Sequence, residues 1–290
     1  MGVHSVIGGR EHTVRQVTIV TGATAGIGRA VATELARRGA TVWAIGRDAT
    51  PTRDTARELS AATGSRVIPG IADFARLDDV RRLAAEILDR GDRIDAVVHN
   101  AGIVSRERRV SADGFELQLA VNHLAPFLLT HLLRERLAAS APARVVTVSS
   151  IGHAKGAINF DDLQSERAYD YRRAYYQSKL ANVLFALALA RRFAGTGVTS
   201  TTLHPGIVRT QLSHEYMGNP VFRFFESFIS ISPERAATHV VRLAADPDVA
   251  GETGTYYRGR QRVAPAAHAR DEALQERLWR VSAQLTGVTA

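Results

Sequence analysis

The chain contains 290 residues, of which 45% are hydrophobic and 23% charged, as is usual for a globular protein. It contains no cysteine, and this excludes disulfide bonds, zinc–thiolate sites and thiol nucleophiles. The net charge of +8 is spread over predicted helix faces among acidic residues, so no nucleic-acid partner is expected. No segment has the roughly 18 consecutive apolar residues of a membrane span. We therefore expect a soluble, cytoplasmic protein without a membrane span.

Predicted strands and helices alternate from residue 17 onward. Apolar runs rich in β-branched residues predict strands over residues 17–20, 41–45, 66–68, 96–98, 144–148 and 198–203. Segments with helical periodicity separate them, near residues 29–38, 54–62, 77–90, 115–139 and 173–193. This alternation predicts an α/β fold with a doubly wound parallel sheet of about seven strands and helices on both faces.

The remaining segments are expected to complete one domain. No linker, repeat or low-complexity tract divides the chain, so residues 17–290 are predicted to form a single domain after a tail of residues 1–16. Ser232-Pro233-Glu234 is typical of a helix start, and a last helix is predicted near residues 270–283.

A glycine-rich turn joins the first strand to the first helix. Without a Cβ atom, Gly22, Gly26 and Gly28 permit a tight turn and a close approach of the backbone to a pyrophosphate. The helix N-terminus adds free N–H groups and partial positive charge. Glycines often serve tight turns alone, but this position in a βαβ unit favours a dinucleotide site that includes Thr24 and Ile27.

The residues after the second and third strands bear on the choice of dinucleotide. NAD-binding turns usually carry an acidic residue after the second strand, whereas this chain has Arg47, which can pair with a 2′-phosphate. We therefore predict that NADP(H) is preferred over NAD(H); the alternative is that Arg47 is an ordinary surface arginine. Asp73 follows the third strand and is predicted to bind the adenine amine or, alternatively, to cap a helix.

A tyrosine, a lysine and a serine carry the predicted chemistry. Tyr175 and Lys179 are four residues apart in a predicted helix, so their side chains share one face. Only two of the 37 basic residues are lysines, and arginine cannot replace a compact ammonium group. Such a group is expected to lower the pKa of a phenol from about 10; the alternative is a buried tyrosine beside a lysine whose charge reaches the surface. Ser150 ends a strand, where its hydroxyl can donate to a carbonyl oxygen.

In chain order, these motifs resemble the short-chain dehydrogenase/reductase family. Asn100-Ala101-Gly102 after the fourth strand and Pro205-Gly206 after the sixth add to the glycine turn and the tyrosine–lysine pair. Val121-Asn122-His123-Leu124 and the 25-residue step from Ser150 to Tyr175 are similar to the retinol dehydrogenase-like branch. The resemblance implies a Rossmann-type fold and an oxidoreductase that transfers a hydride between NADP(H) and a carbonyl or alcohol, mainly as a reductase.

The resemblance also implies a role for each site residue. Tyr175 would exchange a proton with the substrate oxygen, Lys179 would tune it and bind the nicotinamide ribose, and Ser150 would orient the carbonyl. Asn122 would hold a water that links Lys179 to solvent. The residues expected to bind the cofactor are Gly22, Thr24, Gly26, Ile27, Gly28, Arg47, Asp73, Asn100, Ala101, Gly102, Tyr175, Lys179, Pro205, Gly206, Val208 and Thr210.

Several positions depart from the family pattern. His99 replaces a usual asparagine, and Ala25 stands where some NADP-preferring members carry a basic residue, so the predicted NADP preference depends on Arg47. His153 and His204 lie near the predicted site without the spacing of metal ligands. No metal is therefore expected, and both histidines are expected to be structural or to line the pocket.

The aromatic-rich segment after the nicotinamide turn bears on the substrate. Residues 207–232 are expected to form a substrate lid, and the substrate is expected to be a lipophilic or aromatic ketone or aldehyde. Two alternatives remain open: a biosynthetic tailoring enzyme for cyclisation, epimerisation or dehydration, and a non-catalytic cofactor-sensing protein. Because the family commonly associates through its two long helices, a homodimer or homotetramer is expected.

Overall fold

The structure is a computed structural model that describes residues 16–208 and 230–290. The described strands form one eight-stranded sheet in the order β3-β2-β1-β4-β5-β6-β7-β8. Strands β1 to β7 are parallel to their neighbours, and β8 pairs antiparallel with β7. Their bounds are β1 Val17–Thr21, β2 Thr41–Gly46, β3 Val67–Ile71, β4 Ala96–His99, β5 Ala143–Val148, β6 Val198–His204, β7 Thr255–Arg258 and β8 Gln261–Val263.

The described α-helices follow the strands in the alternation expected from the sequence. Their bounds are α1 Gly26–Arg37, α2 Ala49–Thr63, α3 Leu77–Asp89, α4 Leu117–Leu119, α5 Ala125–Ala139, α6 Tyr171–Arg192, α7 Pro233–Ala245 and α8 Glu272–Thr286. The predicted start of α7 is confirmed, because the Ser232 hydroxyl caps the helix by accepting a hydrogen bond from the Arg235 backbone N–H. None of the described helices has both the length and the apolar character needed to cross a bilayer.

Helices cover both faces of the sheet, since successive strand residues point to opposite sides. Ile19 and Trp43 pack in a core with α3, α5 and α6, whereas Val20 and Val42 pack in a second core with α1, α2 and α7. The central strands are buried on both faces, which explains their continuous apolar sequences. The predicted doubly wound parallel sheet is therefore confirmed.

Two details differ from the sequence-based expectation. The sheet has eight strands instead of about seven, because the short and largely exposed β8 has no apolar pattern to reveal it. The helix predicted over residues 115–139 is also interrupted, since a π-helical turn, Ala120–Leu124, separates α4 from α5. Pro126 favours this break, because it has no N–H to donate to the carbonyl of Asn122 four residues earlier.

Candidate active site

The carboxyl ends of β1, β4, β5 and β6 open into a cavity of about 840 Å³. The winding of the chain reverses between β1 and β4, which is where open α/β sheets bind ligands. The residues that immediately follow these four strands therefore share one cavity, although they are far apart in the sequence.

Most of the predicted site residues line this cavity. They are Gly22, Thr24, Gly26, Ile27, Asn100, Ala101, Gly102, Ser150, Tyr175, Lys179, Pro205, Gly206 and Val208. The cavity is not lined by Gly28, Arg47, Asp73 or Asn122, each of which has a distinct position that is described below. Thr210 lies outside the described residues.

Glycine is needed at the three positions of the turn for two different structural reasons. Gly22 and Gly26 have φ angles of 68° and 53°, which side chains disfavour. Gly28 is helical, but a Cβ atom there would lie 2.1 Å from the Gly22 carbonyl oxygen and 2.4 Å from Asn100 Nδ2. The third glycine thus allows α1 to pack directly against the turn.

The N-terminus of α1 fits an anionic ligand. Gly26 and Ile27, its first two residues, line the cavity. No side chain caps this helix, and its first turn contains no acidic residue. Its first backbone N–H groups and its partial positive charge are therefore available to a bound pyrophosphate.

Asn100 joins the ends of β1 and β4 beside this turn. Its side-chain Nδ2 donates to the Thr21 carbonyl oxygen at 2.9 Å. In addition, the Thr21 hydroxyl accepts hydrogen bonds from the backbone N–H groups of Asn100 and Ala101, each at 3.0 Å. These bonds fix the relative position of the two strand ends between which a dinucleotide would lie.

Arg47 and Asp73 follow the neighbouring strands β2 and β3 and do not line the cavity that contains the predicted catalytic residues. The Arg47 guanidinium is exposed and pairs with Asp48 at 3.2 Å. This bond to Asp48 is the main cause that raises the pKa of Arg47, and the charge of Asp73 adds to it. The alternative that Asp73 caps a helix is wrong: α3 is preceded by Arg76 at its cap position, and Asp73 Oδ1 instead accepts from the Ala75 backbone N–H.

The proposed catalytic side chains meet where α6 passes the end of β5. The Ser150 side chain lies near the Tyr175 hydroxyl and acts to lower the pKa of that phenol. The Lys179 ammonium lies 5.6 Å from the centroid of the Tyr175 ring and donates to the Val148 carbonyl oxygen at 3.4 Å. Ser149 holds the helix in this place, because its hydroxyl donates to the Lys179 carbonyl oxygen at 2.7 Å.

Burial dominates the proton affinities of this group. It raises the pKa of Tyr175 to about 12, although the Ser150 side chain opposes the shift. It lowers the pKa of Lys179 to about 8, because a buried ammonium is poorly solvated. The pKa of Tyr175 is thus raised and not lowered in this structure, because the burial that disfavours the phenolate outweighs the groups that favour it.

Asn122 lies behind the cavity, in the π-helical turn. Its Oδ1 accepts from the Ile103 backbone N–H at 2.8 Å, and its Nδ2 donates to the Ile103 carbonyl and to the Ser178 hydroxyl, each at 3.0 Å. A Cβ atom at Gly102 would lie 3.2 Å from Lys179 Nζ and 3.3 Å from Asn122 Oδ1. Asn122 and Lys179 therefore converge on Gly102, and the side chain of Asn122 ties two site segments together.

The turn after β6 closes one end of the cavity. Gly206 has a φ of 114°, and a Cβ atom there would lie 2.7 Å from Ile231 Cδ1. The Ile231 backbone N–H donates to the Ile207 carbonyl at 2.8 Å. Residues 207, 208 and 230–232 of the expected lid are described; residues 209–229, including the aromatic side chains, lie outside the described residues.

Sequence reasoning missed the apolar wall of the cavity. Ile151 and Ile207 are 48% and 37% exposed, yet both line the cavity, as does Tyr176. A Cβ atom at Gly152 would lie 2.6 Å from Tyr176 Cδ1, so this glycine makes room for the aromatic ring. Two of these residues could have been inferred from their position in the sequence, because Ile151 follows Ser150 and Tyr176 follows Tyr175.

The two histidines near the site differ in position. His204, at the end of β6, lines the cavity, and burial lowers its pKa to about 4. His153 is buried and does not line the cavity. Within residues 16–208 and 230–290, no three His, Asp or Glu side chains are grouped as metal ligands would be.

Comparison with known proteins identifies relatives along nearly the whole chain. A family model described as short chain dehydrogenase matches residues 16–219. The chain is 40% identical to retinol dehydrogenase 13 of Homo sapiens over 284 residues, which cover 95% of this chain and 86% of that protein. It is 41% identical to retinol dehydrogenase 12 of Homo sapiens over 275 residues, covering 94% and 87% of the two chains.

Solved structures resemble the fold over similar lengths. An uncharacterized protein from Mycobacterium paratuberculosis has a TM-score of 0.75 and 34% identity, with 94% of both chains covered. A protein from Beutenbergia cavernae, described as an NAD(P)-dependent gluconate 5-dehydrogenase and solved with NADP at low occupancy, has a TM-score of 0.70 and 30% identity. That match covers 84% of this chain and 94% of the other. The chain therefore belongs to the short-chain dehydrogenase/reductase family, in its retinol dehydrogenase-like branch.

Proposed function

We propose that this oxidoreductase reduces a lipophilic or aromatic ketone or aldehyde with NADPH, and that Tyr175 donates the proton. The observation that carries the proposal is that Tyr175, Ser150 and the buried Lys179 line one cavity with the glycine turn. A proton donor and a carbonyl-orienting hydroxyl thus share a cavity with an anion-binding helix N-terminus.

The chain offers a complete set of groups for the dinucleotide. The first turn of α1 would bind the pyrophosphate, Lys179 the nicotinamide ribose, and Arg47 the 2′-phosphate after release from Asp48. NADP bound to the relative from Beutenbergia cavernae supports this cofactor. When bound, the reduced nicotinamide supplies the hydride for the carbonyl carbon.

The protein's own residues handle the carbonyl oxygen. The Ser150 hydroxyl donates a hydrogen bond to this oxygen and stabilises the negative charge that develops there. The Tyr175 hydroxyl then transfers its proton to the same oxygen, which yields the alcohol. The Lys179 ammonium stabilises the resulting phenolate. The backbone carbonyl of Asn122 receives no α-helical hydrogen bond from Pro126, because proline has no N–H. We assign to this carbonyl the water that would return a proton by way of Lys179.

The protonation state of Tyr175 favours reduction over oxidation. A phenol with a pKa of about 12 keeps its proton throughout the neutral range. It is therefore ready to act as the acid that reduction needs, whereas oxidation would need the phenolate as a base.

The apolar wall favours a lipophilic substrate. Ile151, Ile207 and Tyr176 present apolar surface to the same cavity that holds the catalytic hydroxyls. Exposed isoleucine side chains beside a reactive centre are stabilised when a ligand covers them, because apolar area is then removed from water. Each methylene that the substrate buries there contributes about 0.8 kcal/mol, or about fourfold in affinity.

A panel of straight-chain aldehydes and aryl ketones tests this function, with NADPH and NADH followed by nicotinamide absorbance. We expect turnover with NADPH and a KM that falls by about fourfold per added methylene until the wall is covered. Turnover of small polar carbonyls alone would refute the substrate class. No oxidation of either cofactor by any carbonyl would refute the reductase activity.

A further inference from the structure

His153 lies beside the catalytic serine without lining the cavity. It belongs to the short 3-10 helix Ile151–Lys155 and is almost fully buried. Its Nδ1 lies 2.8 Å from the Ser150 carbonyl oxygen, and its Nε2 lies 3.2 Å from the backbone nitrogen of Ala266. Its ring also packs on Tyr256, with 4.7 Å between the ring centroids.

These two contacts define the tautomer of the imidazole. The Ala266 backbone N–H can only donate, so Nε2 must be the unprotonated acceptor. Nδ1 then carries the hydrogen and donates it to the Ser150 carbonyl. Burial lowers the pKa of His153, which favours this neutral form.

The contact with His153 restricts the Ser150 hydroxyl through the backbone. The Ser150 carbonyl accepts from both Nδ1 and the backbone N–H of His153, the latter at 3.1 Å. This bond fixes the turn in which the Ser150 hydroxyl accepts from the Gly152 backbone N–H, also at 3.1 Å. Because the bond from Gly152 uses only an acceptor position of the hydroxyl, the hydroxyl hydrogen remains free to donate to a substrate oxygen.

We infer that His153 is a positioning residue: its neutral imidazole holds the Ser150 turn through Nδ1, and the bond from Ala266 to Nε2 fixes the tautomer in which Nδ1 carries the hydrogen. Ala266 follows β8 and is 113 residues away in the sequence, so this bond connects the catalytic turn to a distant part of the chain. The inference rests on the proposed role of Ser150 in orienting the carbonyl.

Two substitutions separate the two hydrogen bonds of His153. The amide nitrogen of asparagine matches Nδ1 and can donate to Ser150, whereas the amide oxygen of glutamine matches Nε2 and can accept from Ala266. We expect His153→Asn to keep kcat within about threefold of the wild type. We expect His153→Gln to lose about tenfold or more in kcat at unchanged NADPH affinity, since small misplacements of catalytic groups are costly.

A kcat that is lower in His153→Asn than in His153→Gln, or equal in the two variants, would overturn the inference. A residue that acted only by accepting the bond from Ala266 would not retain its function as asparagine. His131→Gln on α5, which does not line the cavity, is the control and is expected to retain wild-type kcat. If His153→Gln does not fold, 15N spectra of wild-type histidines decide: a protonated Nδ1 and bare Nε2 support the inference, and any other state overturns it.

Ser150→Ala distinguishes failure of this inference from failure of the proposed function. Wild-type kcat in Ser150→Ala would refute the role of Ser150 itself. Loss of kcat in Ser150→Ala together with full kcat in His153→Gln would refute only the positioning role of His153.

Discussion

The charge of Lys179 is expected to control activity in the mildly alkaline range. Burial lowers the pKa of this ammonium to about 8, so its protonated fraction falls from about 90% at pH 7 to about 10% at pH 9. Only the charged form stabilises a Tyr175 phenolate. The value of kcat/KM for NADPH, which reports the free enzyme, should therefore fall about tenfold over this range.

The composition of the chain makes the underlying titration directly measurable. Since Lys155 and Lys179 are its only lysines, isotope labelling of lysine gives two side-chain NMR signals. Lys179→Arg removes one of them and Lys155→Arg the other, so each signal is assigned without further labelling. We expect the Lys179 signal to titrate with a midpoint of about 8 and to follow the loss of kcat/KM.

Either of two results would contradict this prediction for Lys179. A Lys179 midpoint at the ordinary value of 10.5 would contradict the argument that desolvation sets the charge of this group. A kcat/KM that stays constant through pH 9 while the Lys179 signal titrates near 8 would instead show that the ammonium is not needed for catalysis.

Three further predictions follow from the same geometry. Gly28→Ala places a Cβ atom 2.1 Å from a backbone oxygen, so it should lower the free energy of unfolding by about 3 kcal/mol. Gly251→Ala, whose Cβ atom meets nothing within 4 Å, is the control in thermal denaturation. Equal Tm values for the two variants would refute the close packing at Gly28. Arg47→Asp should shift the NADPH-to-NADH ratio of kcat/KM by about tenfold or more, whereas the exposed Arg57→Asp should not; an unchanged ratio would remove Arg47 from the cofactor site. Ile151→Ser should reduce the dependence of KM on aldehyde chain length, and an unaltered dependence would exclude this side chain from the substrate wall.

Much of the fold could be predicted because its signals are local. Strands such as β1 and β2 are buried on both faces, so their apolar runs stand out against the polar turns that follow them. The pairing of Tyr175 with Lys179 follows from helical periodicity alone. The glycine turn was recognisable because close approach and positive φ angles require glycine at particular positions.

The remaining features depend on contacts that no local pattern encodes. The pKa of Tyr175 depends on how deeply α6 packs against β5, and sequence reasoning considered only the neighbouring charge. The bridge from His153 to Ala266 joins residues 113 positions apart, so its function was not apparent from spacing. The π-helical turn at Asn122 had a partial signal in Pro126, but the helical periodicity around it predicted an uninterrupted helix.

The most direct test of the catalytic proposal is a single-turnover measurement on Tyr175→Phe. The substitution removes one hydroxyl and leaves the ring, so NADPH should bind with an unchanged Kd by fluorescence titration. The rate of NADPH oxidation by a saturating aldehyde should fall by at least about 100-fold, the contribution usual for a general acid. A variant that binds NADPH and oxidises it at the wild-type rate would contradict the assignment of Tyr175 as the proton donor.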